Sequence, residues 1–166
     1  MLSRQYRHSK SAEIPFRSRR DLSFYYLSFM QEIALTVDVV LCRNSMDHKE
    51  VLLIQRKNNP FKGKWALPGG FVETDEPLDV AALRELKEET GILLNKICQV
   101  GAFGSPDRDP RQRVVTIAYY SFLKQDQEIK ADTDASDAKW FDLKELPKLA
   151  FDHSNILQRA LSKYNS

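Results

Sequence analysis

Apolar runs separated by polar loops divide most of the chain into segments with the patterns of strands and helices. The stretch 33–42 (IALTVDVVLC) is largely apolar and rich in β-branched residues, and the apolar run 51–54 (VLLI) follows it after a polar loop. This pattern predicts an antiparallel pair of central strands. Further strands are predicted over residues 93–103, 113–123 and 139–142.

Two segments have the spacing of amphipathic helices. In segment 77–90 apolar side chains recur at intervals of three and four residues; Pro77 suits the first helical position, and Gly91 suits the position after the last turn. The apolar positions are Leu78, Ala81, Ala82 and Leu86. A second helix is predicted over 154–163, with His153 as a residue at its start rather than a catalytic group.

The order of these elements indicates a single α/β domain. Strands interleaved with two helices are typical of this class, and a chain of 166 residues is long enough to bury one full hydrophobic core. Pro68-Gly69-Gly70 predicts a sharp turn before the first helix. We expect the domain to span residues 33–164, after an N-terminal extension of residues 1–32.

Charge and cysteine content add to this picture. The net charge is +2, but residues 1–20 contain six Lys or Arg and a single acid, Glu13. We interpret the extension as a solvated basic tail. There are two alternatives: the extension is a transit segment, or the assigned start lies upstream of a natural start at Met30. Cys42 and Cys98 have no metal-binding spacing, which favours two inert, buried thiols and a cytoplasmic protein. No apolar run approaches the ~20 residues of a membrane span.

The densest cluster of acidic residues lies on the first predicted helix. Glu85, Glu88 and Glu89 are related by helical steps and so share one face, where their like charges repel. A hard dication such as Mg²⁺ would neutralise them. A Glu-rich face is usually just solvated, but Gly70 can turn its carbonyl towards a metal and Arg84 can pair with a carboxylate. These two residues favour a metal site.

The segment 70–92 resembles the box of the Nudix hydrolases, GX5EX7REUXEEXGU, at every fixed position. The resemblance implies a Nudix α/β/α sandwich with a mixed β-sheet. It also implies Mg²⁺, replaceable by Mn²⁺, and attack of a metal-activated water on a pyrophosphate. Glu85 and Glu89 are then the principal metal ligands, the Gly70 carbonyl a third, and Glu88 a ligand or the base. Family members differ in where the base lies, so other candidates stay open: Asp126, Glu128, Asp132, Asp134 and Asp137.

The loop 104–113 (GSPDRDPRQR) indicates the substrate, because it places three arginines among prolines. Prolines restrict a loop, and arginine recognises phosphate in a planar, bidentate manner. Pro106 lies fifteen residues after Gly91, a position that resembles the bacterial and archaeal ADP-ribose pyrophosphatase subgroup. That resemblance extends over roughly residues 33–160 and implies hydrolysis of ADP-ribose to AMP and ribose 5-phosphate.

Five positions are the candidates for contact with such a nucleotide. Arg56, Arg108 and Arg113 are predicted to contact phosphate or ribose, and Phe103 to stack on adenine, whereas Trp65 is expected in the core. With Pro106, the candidate substrate-binding residues are therefore Arg56, Phe103, Pro106, Arg108 and Arg113.

Other functions stay open. The box alone does not separate ADP-ribose from oxidised nucleoside triphosphates. NADH pyrophosphatases and dinucleoside polyphosphate hydrolases fit less well, because the expected zinc ribbon is absent and Arg108 stands near the position of an expected tyrosine. A domain of the same kind also occurs in regulators that sense ADP-ribose without cleaving it. Nucleic acid is not an expected partner, and a homodimer is compatible with the sequence.

Overall fold

The computed structural model describes residues 32–130 and 135–164, with side chains from residue 137 onward in the second range. Its elements in chain order are β1 (Ala34–Ser45), β2 (His48–Arg56), β3 (Trp65–Ala66), β4 (Gly69–Phe71), α1 (Leu78–Thr90), β5 (Cys98–Phe103), β6 (Val114–Phe122), β7 (Ala135–Asp142) and α2 (His153–Tyr164). Neither helix in these residues is long and apolar enough to cross a membrane. Residues 1–31 lie outside the description, so the predicted extension stays a prediction.

The strands form one mixed sheet in the order β3-β2-β1-β6-β5, with β4 paired to β1 and β7 paired to β2. The β1 and β6 strands are parallel, and every other pairing between two of these strands is antiparallel, including the predicted β1–β2 pair. The outer edge of β1 changes partner along its length: Thr36 to Asp38 pair with β4, while Cys42 to Ser45 pair with β2. The sheet therefore opens between β2 and β4.

Successive side chains of the central strands point to opposite faces of the sheet and so form two separate apolar layers. In β1, Val37, Val39 and Leu41 pack towards α1, whereas Val40 and Cys42 pack towards α2. Both helices contribute buried apolar side chains to their layer, so the sheet lies between them. This is the predicted α/β/α sandwich with a mixed sheet, and from Ile33 onward the chain forms one compact unit.

Three local predictions differ from the structure. Only part of Pro68-Gly69-Gly70 is a turn, because Gly69 and Gly70 already pair with β1. The strand predicted over 93–103 begins only at Cys98, since the backbone N–H and C=O of Leu93 bond to the amide of Gln127 rather than to a neighbouring strand. Cys98 is exposed, not buried, whereas Cys42 is buried as predicted.

Candidate active site

A pocket lies where β2 and β4 diverge beside β1. Its walls come from five parts of the chain: the first half of β1, the end of β2, the segment 69–73, the middle of α1 and the loop 108–111, with the start of α2 closing it. The opening of the sheet brings these segments together, although they are distant in sequence.

Helix α1 ends at Thr90, as its sequence predicts, and begins at Leu78, one residue after the predicted start, because Pro77 is extended with ψ of 152°. Pro77 precedes its first residue, and Gly91 terminates it with φ of 73°, a left-handed conformation that favours glycine. The N–H of Gly91 donates to the carbonyl of Lys87 at 2.8 Å. This defined length presents Glu85 and Glu89 to the pocket, one turn apart on the same face.

Two glycines allow these carboxylates to approach the sheet. The N–H of Gly69 donates to Oε2 of the buried Glu89 at 2.8 Å. A Cβ on Gly70 would lie 2.5 Å from the carboxylate carbon of Glu85. Gly70 is outside the positive-φ region, so the reason for glycine differs from the one expected: the missing side chain, and not a special backbone conformation, makes room for Glu85.

Arg84 holds the neighbouring carboxylates in place. Its Nε and Nη2 groups donate to Glu76 at 3.0 and 2.6 Å, and Nη2 also donates to the carbonyl of Phe71 at 3.1 Å. Its Nη1 group donates to Glu85 at 2.8 Å and to Glu88 at 3.1 Å. Hydrogen bonds from Arg84 and from a backbone N–H lower the pKa of Glu76 to about 2, and the hydrogen bond from Glu76 raises the pKa of Arg84. Arg84 therefore fixes the orientation of the Glu85 carboxylate through its own pairing with Glu76.

The pocket-facing carboxylates suit a divalent cation. Burial raises the pKa of Glu85; Arg84 opposes this shift, and the like charges of Glu88 and Glu76 add to it. Within residues 32–130 and 135–164, no three His, Cys, Asp or Glu side chains already converge as a metal site. Two carboxylates with a backbone carbonyl, completed by water and substrate oxygens, are a donor set that Mg²⁺ accepts. Glu88 does not line the pocket, and its side chain is 45% exposed.

The predicted substrate residues are not all at the pocket. Arg56 and Arg108 line it, whereas Pro106 is exposed elsewhere on the loop and Arg113 donates to the carbonyl of Gly104 at 2.6 Å outside the lining. Phe103 packs against the apolar layer beneath α2, so the structure does not place it for stacking on a base in this pocket.

Contacts with neighbouring residues hold Arg56 at the pocket and Trp65 in the core. Arg56 donates from Nε to the carbonyl of Pro60 at 2.9 Å, and its guanidinium carbon lies 4.7 Å from the ring centroid of Phe151. Trp65 packs against Phe141 with ring centroids 4.6 Å apart, in the core position expected for it.

Three of the five acids predicted as alternative bases are described by the structure, and all three lie outside the pocket. Asp126 pairs with Arg43, Glu128 with Lys130 and Asp137 with Lys139. These three acids do not line the pocket. Asp132 and Asp134 lie outside the described residues.

Several pocket residues were missed from the sequence, and they form a buried charged network. Asp38 lies 3.4 Å from Nε2 of His153 and 3.5 Å from Nη2 of Arg108, and Asp152 accepts two hydrogen bonds from Arg108 at 2.8 and 3.2 Å. Nδ1 of His153 accepts the N–H of Leu67 at 2.9 Å, and His153 is the first residue of α2, as predicted. The signal for this network was the single acid in the apolar stretch IALTVDVVLC, because a buried charge needs partners.

Three more pocket residues were not singled out from the sequence. Asp109 and Arg111 lie on the predicted arginine loop and line the pocket, and Phe151 forms part of its opposite wall. The composition of the loop 104–113 indicates a role for Asp109 and Arg111, but not their individual contacts.

Comparison with known proteins gives a consistent result. Residues 33–160 match the family model described as NUDIX domain. An ADP-ribose pyrophosphatase of Methanocaldococcus jannaschii is 46% identical over 140 residues, covering 84% of this chain and 79% of that protein. The ADPR responsive transcriptional repressor NtrR of Acinetobacter baylyi is 36% identical over 87% of this chain and 60% of its own length. The NUDIX domain of Shewanella oneidensis NrtR, solved in complex with ADP ribose, has a TM-score of 0.76 at 34% identity, covering 89% of this chain and 99% of that one.

Proposed function

The chain belongs to the NUDIX domain family, and on that premise we propose that it uses a divalent cation to hydrolyse ADP-ribose to AMP and ribose 5-phosphate. The observation that carries the proposal is one pocket in which Glu85 and Glu89 face Arg56 and Arg111. Carboxylates suit the cation and arginines suit a diphosphate. The 46% identical pyrophosphatase and the ADP-ribose complex of a similar domain support this choice of substrate.

The proposed ligands are the carboxylates of Glu85 and Glu89 and the carbonyl of Gly70, with Mg²⁺ as the cation and Mn²⁺ as a substitute. A cation bound there would lower the pKa of a water molecule and polarise a phosphoryl oxygen. The protein contributes orientation: Gly69 fixes one oxygen of Glu89, and Arg84 fixes Glu85.

Hydrolysis replaces one bond at a phosphorus of the diphosphate with another. The water oxygen bonds to one phosphorus while the bond from that phosphorus to the bridging oxygen breaks, so each product keeps one phosphate. The water proton passes to a base; the candidate of the box is Glu88, whose exposed side chain is outside the pocket lining and would have to turn towards Glu85 to reach the water. Arg84 already holds Glu88 at 3.1 Å, next to Glu85.

The test is a substrate panel with Mg²⁺. ADP-ribose, oxidised dGTP, NADH and a diadenosine polyphosphate are compared by kcat/KM, and the products are separated by chromatography. We expect ADP-ribose to be among the best substrates, with AMP and ribose 5-phosphate in equal amounts. A clear preference for oxidised dGTP would reject the proposed substrate and leave the hydrolase assignment intact.

Similarity to an ADPR responsive repressor supports a second candidate, in which the domain binds ADP-ribose without cleaving it. The arrangement of Glu85, Glu89 and Arg84 favours catalysis, because binding a diphosphate does not require a set of inward-facing carboxylates. The two candidates differ in one measurement: tight binding of ADP-ribose in Mg²⁺ with no release of AMP would favour the sensor.

A further inference from the structure

The three arginines of the loop 104–113 have different environments. The side chain of Arg108 is 4% exposed, and its guanidinium is held by Asp152 and faces Asp38. Arg113 donates to the carbonyl of Gly104, within its own loop and outside the pocket lining. Arg108 therefore holds the loop against the rest of the domain, whereas Arg113 stabilises the loop from within.

Arg111 is different because its side chain is 42% exposed and lines the pocket. Its Nε and Nη2 groups donate to the two carboxylate oxygens of Asp109 at 3.0 and 2.7 Å, and its backbone N–H donates to the same side chain at 3.0 Å. This side-on pairing uses one edge of the planar guanidinium. The donors of Nη1 lie on another edge, away from Asp109.

Asp109 is built to hold Arg111 in this orientation. Its side chain is only 4% exposed. Burial would raise its pKa, but the hydrogen bonds from the side chain and backbone of Arg111 outweigh burial and lower it. The hydrogen bond from Asp109 in turn raises the pKa of Arg111. A fixed guanidinium loses less entropy when a ligand binds than a mobile one does.

A second cation shares the pocket with Arg111. Burial lowers the pKa of Arg56, and the positive charge of Arg111 lowers it further, while Asp109, Glu89 and Asp38 oppose these effects. Arg56 and Arg111 thus lie close enough to repel. An anion bound between the two side chains would relieve this repulsion. A diphosphate carries enough negative charge, and enough oxygens, to accept hydrogen bonds from both guanidinium groups.

We propose that Arg111 binds the diphosphate of the substrate together with Arg56, and that Asp109 is the positioning residue for Arg111. Arg108 and Arg113, the two loop arginines that the sequence predicted as substrate contacts, stabilise the loop instead. The inference rests on the proposed function, since it assigns a residue to the recognition of that substrate.

The experiment compares Arg111→Gln and Arg111→Lys with the wild-type enzyme, using ADP-ribose as substrate and ADP as competitive inhibitor in Mg²⁺. Loss of a charged hydrogen-bonding partner should raise KM and the Ki of ADP by about 10- to 100-fold. We expect kcat to change by less than about 3-fold, and Arg111→Lys to recover part of the affinity because it keeps the charge without the fork. The thermal midpoint should fall in Arg111→Gln, because the buried carboxylate of Asp109 loses its partner, so the kinetic constants are measured well below that midpoint.

Asp109 is tested separately, because it acts through Arg111. Asp109→Asn should raise KM while leaving kcat near normal, and in the Arg111→Gln background it should have little further effect on KM. Equal effects in both backgrounds would show that Asp109 does not act by positioning Arg111.

Arg159→Gln, on the exposed face of α2, is the control for the loss of one positive charge. An unchanged KM in Arg111→Gln would overturn the inference. A raised KM with an unchanged Ki for ADP would also overturn it, because Arg111 would then contact only the terminal ribose. If the wild-type enzyme does not cleave ADP-ribose, the proposed function fails by itself, and the same comparison is made with the best nucleoside diphosphate derivative of the panel.

Discussion

Replacing Gly70 with alanine should separate activity from stability. The added Cβ would lie 2.5 Å from Cδ and Oε1 of Glu85, whereas ordinary contact begins at 3.4 Å. The carboxylate must therefore move by about 0.9 Å, taking the difference between these two distances. A displacement of about 1 Å in a reacting group can cost about 100-fold in rate. We expect kcat to fall by roughly that factor.

The same substitution should cost little stability. The group displaced is the end of a flexible side chain, and the backbone of Gly70 is outside the positive-φ region. Alanine also reduces the entropy of the unfolded chain, which stabilises a compatible position by about 0.4–1 kcal/mol. The free energy of unfolding, measured with urea, should therefore stay within about 1 kcal/mol of wild type.

Two other glycines serve as controls. At Gly101 an added Cβ has no atom within 4 Å, so Gly101→Ala should leave both kcat and stability unchanged. At Gly69, with φ of 156°, an added Cβ would collide with the Val37 carbonyl and lie 2.9 Å from Cα of Asp38, so Gly69→Ala should unfold the protein. The reasoning would be refuted by a kcat within about 3-fold of wild type in Gly70→Ala, or by a loss of stability as large as that of Gly69→Ala.

Three further predictions follow from the same contacts. Glu89→Gln keeps an acceptor for the N–H of Gly69 but removes the charge, so kcat with Mg²⁺ should fall by about 1000-fold while the thermal midpoint is retained; near-normal turnover would contradict the metal assignment. Arg108→Gln leaves two acids without their buried partner and should cost about 3 kcal/mol in urea unfolding, against less than about 1 kcal/mol for Arg113→Gln; equal losses would contradict the anchoring role. Burial lowers the pKa of His153 below its ordinary 6.5, so its protonation favours the unfolded chain. The stability of wild type should rise with pH up to about 6.5 and then level off, and His153→Asn should flatten this rise; parallel pH profiles for the two proteins would argue against it.

Much of the fold could be predicted from local patterns. The apolar runs identified the central strands, and helical spacing between Pro77 and Gly91 set the limits of α1, because both features depend on residues close in sequence. Where the pattern failed, at residues 93–97, a side chain distant in sequence supplied the backbone hydrogen bonds. No local pattern contains that information.

The candidate site shows the same division. The order of residues alone determined the family and placed Glu85 and Glu89 one turn apart on α1, and it predicted a role for the loop 104–113. Only the tertiary structure decided that Arg108 is buried against Asp152, 44 residues away, while Arg111 reaches the pocket. It also decided that Gly70 is glycine to make room for Glu85. The physical reason is that spacing along the chain determines which face a side chain occupies, whereas its partner is determined by which distant segments the opened sheet brings together.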